Sequence, residues 1–413
     1  MRLNREHQRG VLLRIKRAIA LLGVSFVMPS LALASPHSRL QTSQHLRMAR
    51  SNHQGAPLAS VPELFVPSFP SFNSSRLDEQ LRQYSVYLAN LGAPDVLIVG
   101  SSRSLQGIDP TAFRHALMEQ GYPELTIYNL SVNGATAQVV NLMIQDILTR
   151  EQLPRVLVWA GGSRAFNSSR DDTTYRNIMT SQGYQHLATG VHPIPNWGTV
   201  LLNQDQGVNE CWDLLDPWRA IQSSPTLLTP QLACSQSDGS SLLQPLSLRP
   251  AIRAQQKLQS QLDLRSSDID ATGFLAVDEH FDPAVYYQRH PRVSGHYDAN
   301  YVPFELDGEQ TRAAIALARF AHYQWMPLVF VNLPLSQDYL DPVRLDYEAQ
   351  FRQHMQAIAA QEGFAFHDFN HGDLTQNHYF ADPSHLNQHG AKAVGRSLAT
   401  HSVIPRPVVQ FGQ

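Results

Sequence analysis

The chain has only two cysteines, Cys211 and Cys234, too few for a disulfide scaffold, so the fold must rest on a hydrophobic core. Whether the two pair with each other stays open, because a sequence does not reveal the approach of their Cα atoms. Beyond residue 34 no run is apolar enough to span a bilayer. There is no Gly-rich phosphate loop, no dinucleotide fingerprint and no His-Glu-x-x-His motif of the metalloprotease kind. No internal repeat occurs. Positive charge is scarce once the first 34 residues are set aside: they hold six of the 32 Lys and Arg and one of the 35 Asp and Glu, leaving 26 against 34 and a net charge of −8. That balance argues against a nucleic-acid partner, whose phosphates require a basic surface. A neutral or cationic substrate, or a carbohydrate held by neutral hydrogen bonds, fits it better.

The N-terminus has the composition of an export signal. Arg2, Arg5, Arg9, Arg14, Lys16 and Arg17 precede an apolar stretch, Ala18 to Ala34, that closes with Ala32-Leu33-Ala34 before Ser35. A basic n-region, an apolar h-region and an A-x-A site predict cleavage after residue 34; an uncleaved stretch would instead tether the protein to the membrane. Either way the location expected is periplasmic or extracellular. Residues 35–75, rich in Ser, Pro, Gln and His, read as a flexible linker.

From Ser74-Ser75 onward, Leu77, Leu81, Tyr84 and Leu88 recur at helical spacing behind a serine cap. Strands are predicted at Val96–Val99, Thr126–Leu130 and Val156–Ala160, with helices between them at Pro110–Glu119 and Ala135–Thr149. The alternation stops and then resumes with a helix at Glu309–Tyr323, a strand at Leu328–Asn332, a helix at Arg344–Ala360, a strand at Phe364–Asp368 and a last helix after Asn387. Such alternation implies a parallel sheet covered by helices on both faces: a flavodoxin-like three-layer αβα sandwich with five strands and a large insertion. The core is expected over 76–164 and 305–401, the insertion over 165–304 and a tail over 402–413. The insertion carries Trp197, Trp212, Trp218, Tyr286, Tyr287, Tyr297 and Tyr301. Their rings either stack on sugars, as in a lid or specificity element, or fill the insertion's own core.

Two short motifs carry the chemistry. Gly100-Ser101-Ser102-Arg103 follows the first strand and presents a serine hydroxyl in a tight turn, while Asp382-Pro383-Ser384-His385-Leu386-Asn387 places a carboxylate and an imidazole three residues apart. A serine becomes a nucleophile when a histidine takes its proton, and a carboxylate fixes that histidine's tautomer. Asp-x-x-His also occurs at Asp368 and His371. Asp368 closes a strand, where the chain is extended, whereas Asp382-Pro383 resembles a cap and first-turn proline leading toward the last helix, which favours Asp382 and His385. Gly134, after the second strand, and the Ser102 N–H are candidate oxyanion donors. The crowd Asp368, His371, Asp373, His378, Asp382, His385 and His389 invites a metal. Pro383 and Gly390 break the helix that would present those groups, so neither a metal nor another cofactor is expected.

This ordered set, Gly-Ser-Ser after strand one, Asn-x-Gly after strand two, a glycine-rich turn after strand three and Asp-x-x-His-Leu-Asn before the last helix, resembles the SGNH (GDSL-like) hydrolase superfamily over about 90–165 and 305–401. The resemblance implies Ser102 as nucleophile, His385 as base, Asp382 as its orienter and Gly134 as an oxyanion donor. The pattern is most similar to the branch of the teichoic-acid D-alanylation protein and the alginate O-acetyltransferases, whose members act on envelope or extracellular polymers. It implies an exported serine O-acyltransferase for a polysaccharide or cell-envelope polymer, with a membrane-bound O-acyltransferase as donor partner. The alternatives are a secreted esterase or deacylase and a non-catalytic carbohydrate-binding module. One block departs: where the family has Gly-x-Asn-Asp, this chain reads Gly161-Gly162-Ser163-Arg164-Ala165-Phe166-Asn167. Ser163, Arg164 or Asn167 is expected to stand in for the missing asparagine, and Arg103 and Arg164 to face the site.

Overall fold

The computed structural model describes residues 69–194, 268–401 and 404, all within the unit Val66–Gln413. The expected export signal, most of the linker, both cysteines, Trp197, Trp212, Trp218 and the tail apart from Ile404 lie outside the described residues.

The elements run α1 (Ser75–Leu91), β1 (Val96–Gly100), α2 (Ser102–Gly107), α3 (Pro110–Glu119), β2 (Ile127–Asn129), α4 (Ala137–Leu142), β3 (Val156–Gly161), α5 (Thr173–Met179), α6 (Gln182–Leu187), α7 (Pro283–Arg289), α8 (Glu309–Tyr323), β4 (Leu328–Asn332), α9 (Pro342–Glu362), β5 (Ala365–Asp368) and α10 (Gln388–Thr400). The strands form one sheet in the order β2-β1-β3-β4-β5, every pair parallel. β1 leads to β2 on one side, and the chain then crosses to β3 on the other. The carboxyl ends of β1 and β3 therefore flank the crevice where such sheets bind ligands.

β1, β3 and β4 are buried along their full length, as expected of parallel strands covered on both faces. Because side chains alternate, Leu97, Val99, Leu157, Trp159, Leu328 and Phe330 face one hydrophobic cluster with α1, α4, α8 and α9, while Val96, Ile98, Val156, Val158, Val329 and Val331 face the other with α3 and α10. Each such side chain stabilises the fold by about 1.5–3 kcal/mol on burial. Trp159, Phe166, Phe330 and Phe351 form an aromatic knot on the first face, with ring centroids 5.2–6.1 Å apart.

Two boundaries differ from the sequence reading by several residues. Order begins before Ser74: Phe72 is fully buried, and Phe69 stacks on it and meets the edge of His186 on α6. The helix expected over Ala135–Thr149 stops at Leu142 and becomes a π segment, Met143–Ile147, closed by Leu148 N–H to Met143 O. The last helix starts at Gln388, directly after Asn387 as expected, capped by the Asn387 side chain, which accepts from the His389 and Gly390 N–H groups. Asp382 is therefore not its cap.

The described halves of the insertion pack on the core. Residues 165–194 supply Ile178, Leu187 and Ile194 to the first cluster. The returning segment, 268–304, first docks on β2, where Asn129 N–H donates to Thr272 O at 2.8 Å. It then crosses α2, with Leu275 N–H donating to Leu105 O at 3.2 Å, and reaches the loop before α10, where Phe281 N–H donates to Phe380 O at 2.8 Å. Of its tyrosines, Tyr301 is buried in the core, Tyr297 is 83% exposed, and Tyr286 and Tyr287 are half-buried against Phe281.

Candidate active site

Gly100 sets the geometry of the nucleophile turn. Its φ is +153°, and a Cβ there would lie 2.0 Å from Ala160 O on β3. Glycine alone lets β1 end this close to β3 before the chain turns into α2. Ser101 caps α2, its Oγ accepting from Arg103 N–H, so Ser102 becomes the first helical residue. Behind it, Ser131 Oγ donates to Ser104 Oγ at 2.8 Å, and Asn129 Nδ2 donates to Ser104 O at 3.0 Å. These bonds lock α2 to the end of β2.

The acid–base loop is closed just as tightly. Ala381 N–H donates to His385 O at 2.9 Å, Phe380 and Leu386 form an antiparallel bridge, and Asn387 Nδ2 donates to the carbonyls of His378 and Phe380 at 2.9 and 3.0 Å. Within this loop Asp382 Oδ1 accepts from the N–H groups of Ser384 and His385 at 2.7 and 2.9 Å. Its Oδ2 accepts from His385 Nδ1 at 2.7 Å. Burial pushes the Asp382 carboxyl up, but the His385 hydrogen bond and charge and the two backbone donors outweigh it and bring the pKa down to about 2. An ionised Asp382 fixes the proton on Nδ1, leaving Nε2 to accept from Ser102 Oγ at 2.9 Å. Ser102, His385 and Asp382, 283 residues apart at the extremes, thus form one continuous relay.

The competing pair does not form. Asp368 accepts from Asn332 Nδ2 at 2.9 Å, from Asn370 N–H at 3.0 Å and from Arg352, while His371 is exposed. Among the described residues no three of His, Cys, Asp or Glu gather in a way that could hold a metal ion.

Two backbone N–H groups at the carboxyl ends of β1 and β2 are candidate oxyanion donors. The Ser102 N–H opens α2. Gly134, exposed and at φ +72°, lies in the turn that Val132 N–H ties to Gly100 O at 2.9 Å. Neither N–H donates to a protein acceptor among the described residues, so both remain available to a developing oxyanion.

The other sequence candidates are placed differently. Ser163 is buried, with its Oγ donating to Glu348. Asn167 is buried, donates to the carbonyls of Asn300 and Pro303, and accepts from Ser169 and Glu305. Their polar atoms are committed to the scaffold, so neither replaces the missing third-block asparagine; burial within a polar network outweighs their position in the sequence. Arg103 also points inward. It is 5% exposed, and Nη2 donates to Leu333 O and Pro334 O at 2.6 and 3.0 Å. Burial, and next the nearby Arg164 charge, lower its pKa to about 10. Arg164 remains half-buried, 5.8 Å from the Tyr339 ring centroid. Burial lowers its pKa, but Tyr339, Tyr301, Asp298 and Glu348 outweigh it, for a net rise.

Arg103 thereby links the nucleophile to the acid–base loop. The carbonyls it holds begin the loop after β4, whose Ser336 N–H donates to Pro383 O at 3.2 Å. Gly162 makes room for this guanidinium, since a Cβ there would sit 2.1 Å from Arg103 Nη1. Gly162→Ala is expected to displace Arg103, lower stability by about 1–3 kcal/mol and reduce turnover. Thermal melting alongside an acyl assay of the folded fraction checks both effects.

Sequence reasoning missed Glu348 and Asn332, and named Tyr286 only among the aromatic residues of the insertion. Glu348, buried, accepts from Ser163, from Tyr301 Oη at 2.7 Å and from Asn370 Nδ2 at 3.1 Å; its signal was a carboxylate on the stripe Arg344, Glu348, Phe351, Met355 that α9 buries. Tyr286, on α7, packs edge-on against Phe281, and burial, with the Asp382 charge next, raises its hydroxyl pKa. No helix of the described residues is long and apolar enough to cross a membrane. The chain matches no protein-family model and no curated protein.

Proposed function

We propose that this protein is an exported serine acyltransferase of the SGNH kind that moves an ester-linked acyl group onto a hydroxyl of an extracellular polysaccharide or envelope polymer. The observation that carries the reading is the Ser102–His385–Asp382 relay, with bonds of 2.9 and 2.7 Å, at the carboxyl edge of a parallel sheet. In the first half-reaction Ser102 Oγ attacks the carbonyl carbon of the donor ester as its proton passes to His385 Nε2. The negative oxygen of the tetrahedral intermediate takes hydrogen bonds from the Ser102 and Gly134 N–H groups. The intermediate expels the donor alkoxide, which leaves with the proton from His385. In the second half-reaction His385 deprotonates an acceptor hydroxyl, which attacks the acyl-serine and returns Ser102 to its starting state. A membrane-bound O-acyltransferase is the donor partner in this reading.

A secreted esterase is the second reading. It is favoured by the exposure of the His385 and Asp382 side chains, 25% and 35%, through which water reaches the acyl-enzyme.

Intact-mass spectrometry after exposure to p-nitrophenyl acetate tests both enzyme readings. The expected result is one added acetyl group per chain, mapped to Ser102 by peptide sequencing and missing from Ser102→Ala. A protein that stays unmodified while hydrolysing none of the ester overturns both readings in favour of a binding module.

A further inference from the structure

Ser163 and Asn167 are committed to the scaffold, but Arg164 between them is not. It is half-buried in the turn after β3. Its guanidinium lies 5.8 Å from the Tyr339 ring centroid and makes no hydrogen bond or ion pair among the described residues. Arg170, also half-buried, donates through Nη1 to Arg164 O at 2.8 Å. Its Nε–Nη2 edge, the edge with which Arg319 holds Glu362, has no partner among the described residues. The carboxylates around them are engaged. Asp298 accepts from Tyr339 Oη at 2.6 Å and from Arg344 Nε at 3.0 Å, and Glu348 accepts from Ser163, Tyr301 and Asn370. Burial, and next the Arg164 charge, lower the Arg170 pKa. Two partly desolvated cations are therefore held close together, an arrangement that a bound anion stabilises. The pair stands on one side of the nucleophile. Gly162, two residues before Arg164, packs against the Arg103 guanidinium, and Tyr339 lies in the loop after β4 whose Ser336 N–H donates to Pro383 O.

We propose that Arg164 and Arg170 form a subsite for a carboxylate at the far end of the acyl group, so that the group transferred is a short dicarboxylic half-ester of the succinyl or glutaryl class. The side follows from the tetrahedral carbon, which has three substituents besides Ser102 Oγ. The oxyanion takes the Gly134 side, at the end of β2. The donor oxygen takes the His385 side, where Phe380 and Leu386 belong to the second cluster. The acyl substituent takes the remaining side, toward β3 and β4, where the third block continues through Phe166 and Ile178 into the first cluster. A guanidinium presents paired N–H groups in a plane, which matches the two oxygens of a carboxylate. Ser102 Oγ attacks the ester carbonyl and the donor alkoxide leaves with the proton from His385, while the distal carboxylate stays ionised against the arginines. The acceptor hydroxyl then takes the carboxyacyl group from Ser102 as in the second half-reaction above. The assignment of this anion to the acyl group rests on that reading of the relay.

Calorimetric titration of Ser102→Ala with monoethyl succinate and with ethyl butyrate tests the subsite apart from the chemistry. The half-ester is expected to bind about tenfold or more tightly than the neutral ester, and added salt should erode that preference through screening. Arg164→Gln in the same background should remove the preference, and Arg164→Lys, which keeps the charge without the fork, should restore part of it. With the Ser102 protein, ethanol release from the half-ester should exceed that from ethyl butyrate by about 10- to 100-fold, and Arg164→Gln should remove the excess. Equal binding of the two esters overturns the proposal, as does a preference that neither salt nor Arg164→Gln reduces; the salt series needs no substitution at Arg164 and so does not depend on that variant folding. Binding of carboxymethylcellulose that Arg164→Gln abolishes, with no preference for the half-ester, also overturns it and places the carboxylate on the acceptor. If the half-ester is preferred while neither it nor p-nitrophenyl acetate acylates Ser102, the enzymatic reading falls and the carboxylate subsite stands.

Discussion

Asp382→Asn is expected to lower acyl turnover by about 10⁴-fold in a protein that still folds. The reason lies in how the two carboxylate oxygens are used. Oδ1 accepts from the N–H groups of Ser384 and His385, and an asparagine oxygen can keep both bonds. The amide NH2 then faces His385 Nδ1, where only an acceptor nitrogen is tolerated. The imidazole proton is forced to Nε2, which can no longer accept the Ser102 proton. Asp368→Asn is the contrasting control. Asp368 holds Asn332, Asn370 and Arg352, so its loss is expected to cost about 1–3 kcal/mol of stability with turnover per folded molecule little changed. Equal losses of turnover in both variants would remove the assignment of Asp382.

The same carboxylate gives an acid signature. Its pKa is about 2 in the folded protein against an ordinary 3.8. A depressed carboxylate contributes stability that is fully present above its unfolded value and is lost as pH falls through the folded value. Asp382 therefore adds to the melting temperature above about pH 4 and loses that contribution between about pH 4 and 2. Melting curves of wild type and Asp382→Asn should converge across that window.

Much of this site was legible in the chain because its parts obey local rules. A fully apolar run broken by Gly100 marks a buried strand ending in a turn, and β4 and α8 have the bounds that their periodicity gives. Gly-Ser-Ser and Asp-x-x-His carry their chemistry within a few residues. What could not be read depends on partners far along the chain. Arg103, next to the nucleophile, is expected to face the site until the carbonyls of Leu333 and Pro334, 230 and 231 residues away, close over it. Ser163 and Asn167 sit where an oxyanion donor is expected, yet Glu348 and the segment 300–305 claim them. Asp382-Pro383 resembles a cap, yet the cap of the last helix is Asn387, whose Oδ1 accepts from the His389 and Gly390 N–H groups.

The balance between transfer and hydrolysis is decided at the acyl-serine, and there the acceptor is expected to win: with a polysaccharide acceptor present, transfer should exceed hydrolysis by about 10²-fold. Among the described residues two backbone donors, those of Ser102 and Gly134, are the candidates for the oxyanion, and the third-block side chains of Ser163 and Asn167 are committed elsewhere. A site short of one donor typically loses about 10²–10³ in rate, and that deficit falls equally on water and on acceptor. Positioning alone can then favour one over the other, because a bound hydroxyl held in near-attack geometry gains an effective concentration that free water lacks. The returning segment offers the means. It crosses α2 at Leu275 and reaches the acid–base loop at Phe281, whose ring meets Tyr286 of α7 edge-on with centroids 5.4 Å apart, so an acceptor chain lying along α7 would approach the relay from that side. Tyr286→Ala should then lower transfer by about tenfold and leave hydrolysis of p-nitrophenyl acetate nearly unchanged. Partitioning of a labelled acetyl group between polymer and water, measured with and without acceptor, checks both statements. Hydrolysis equal to or faster than transfer, and abolished by Ser102→Ala, would make the protein an esterase.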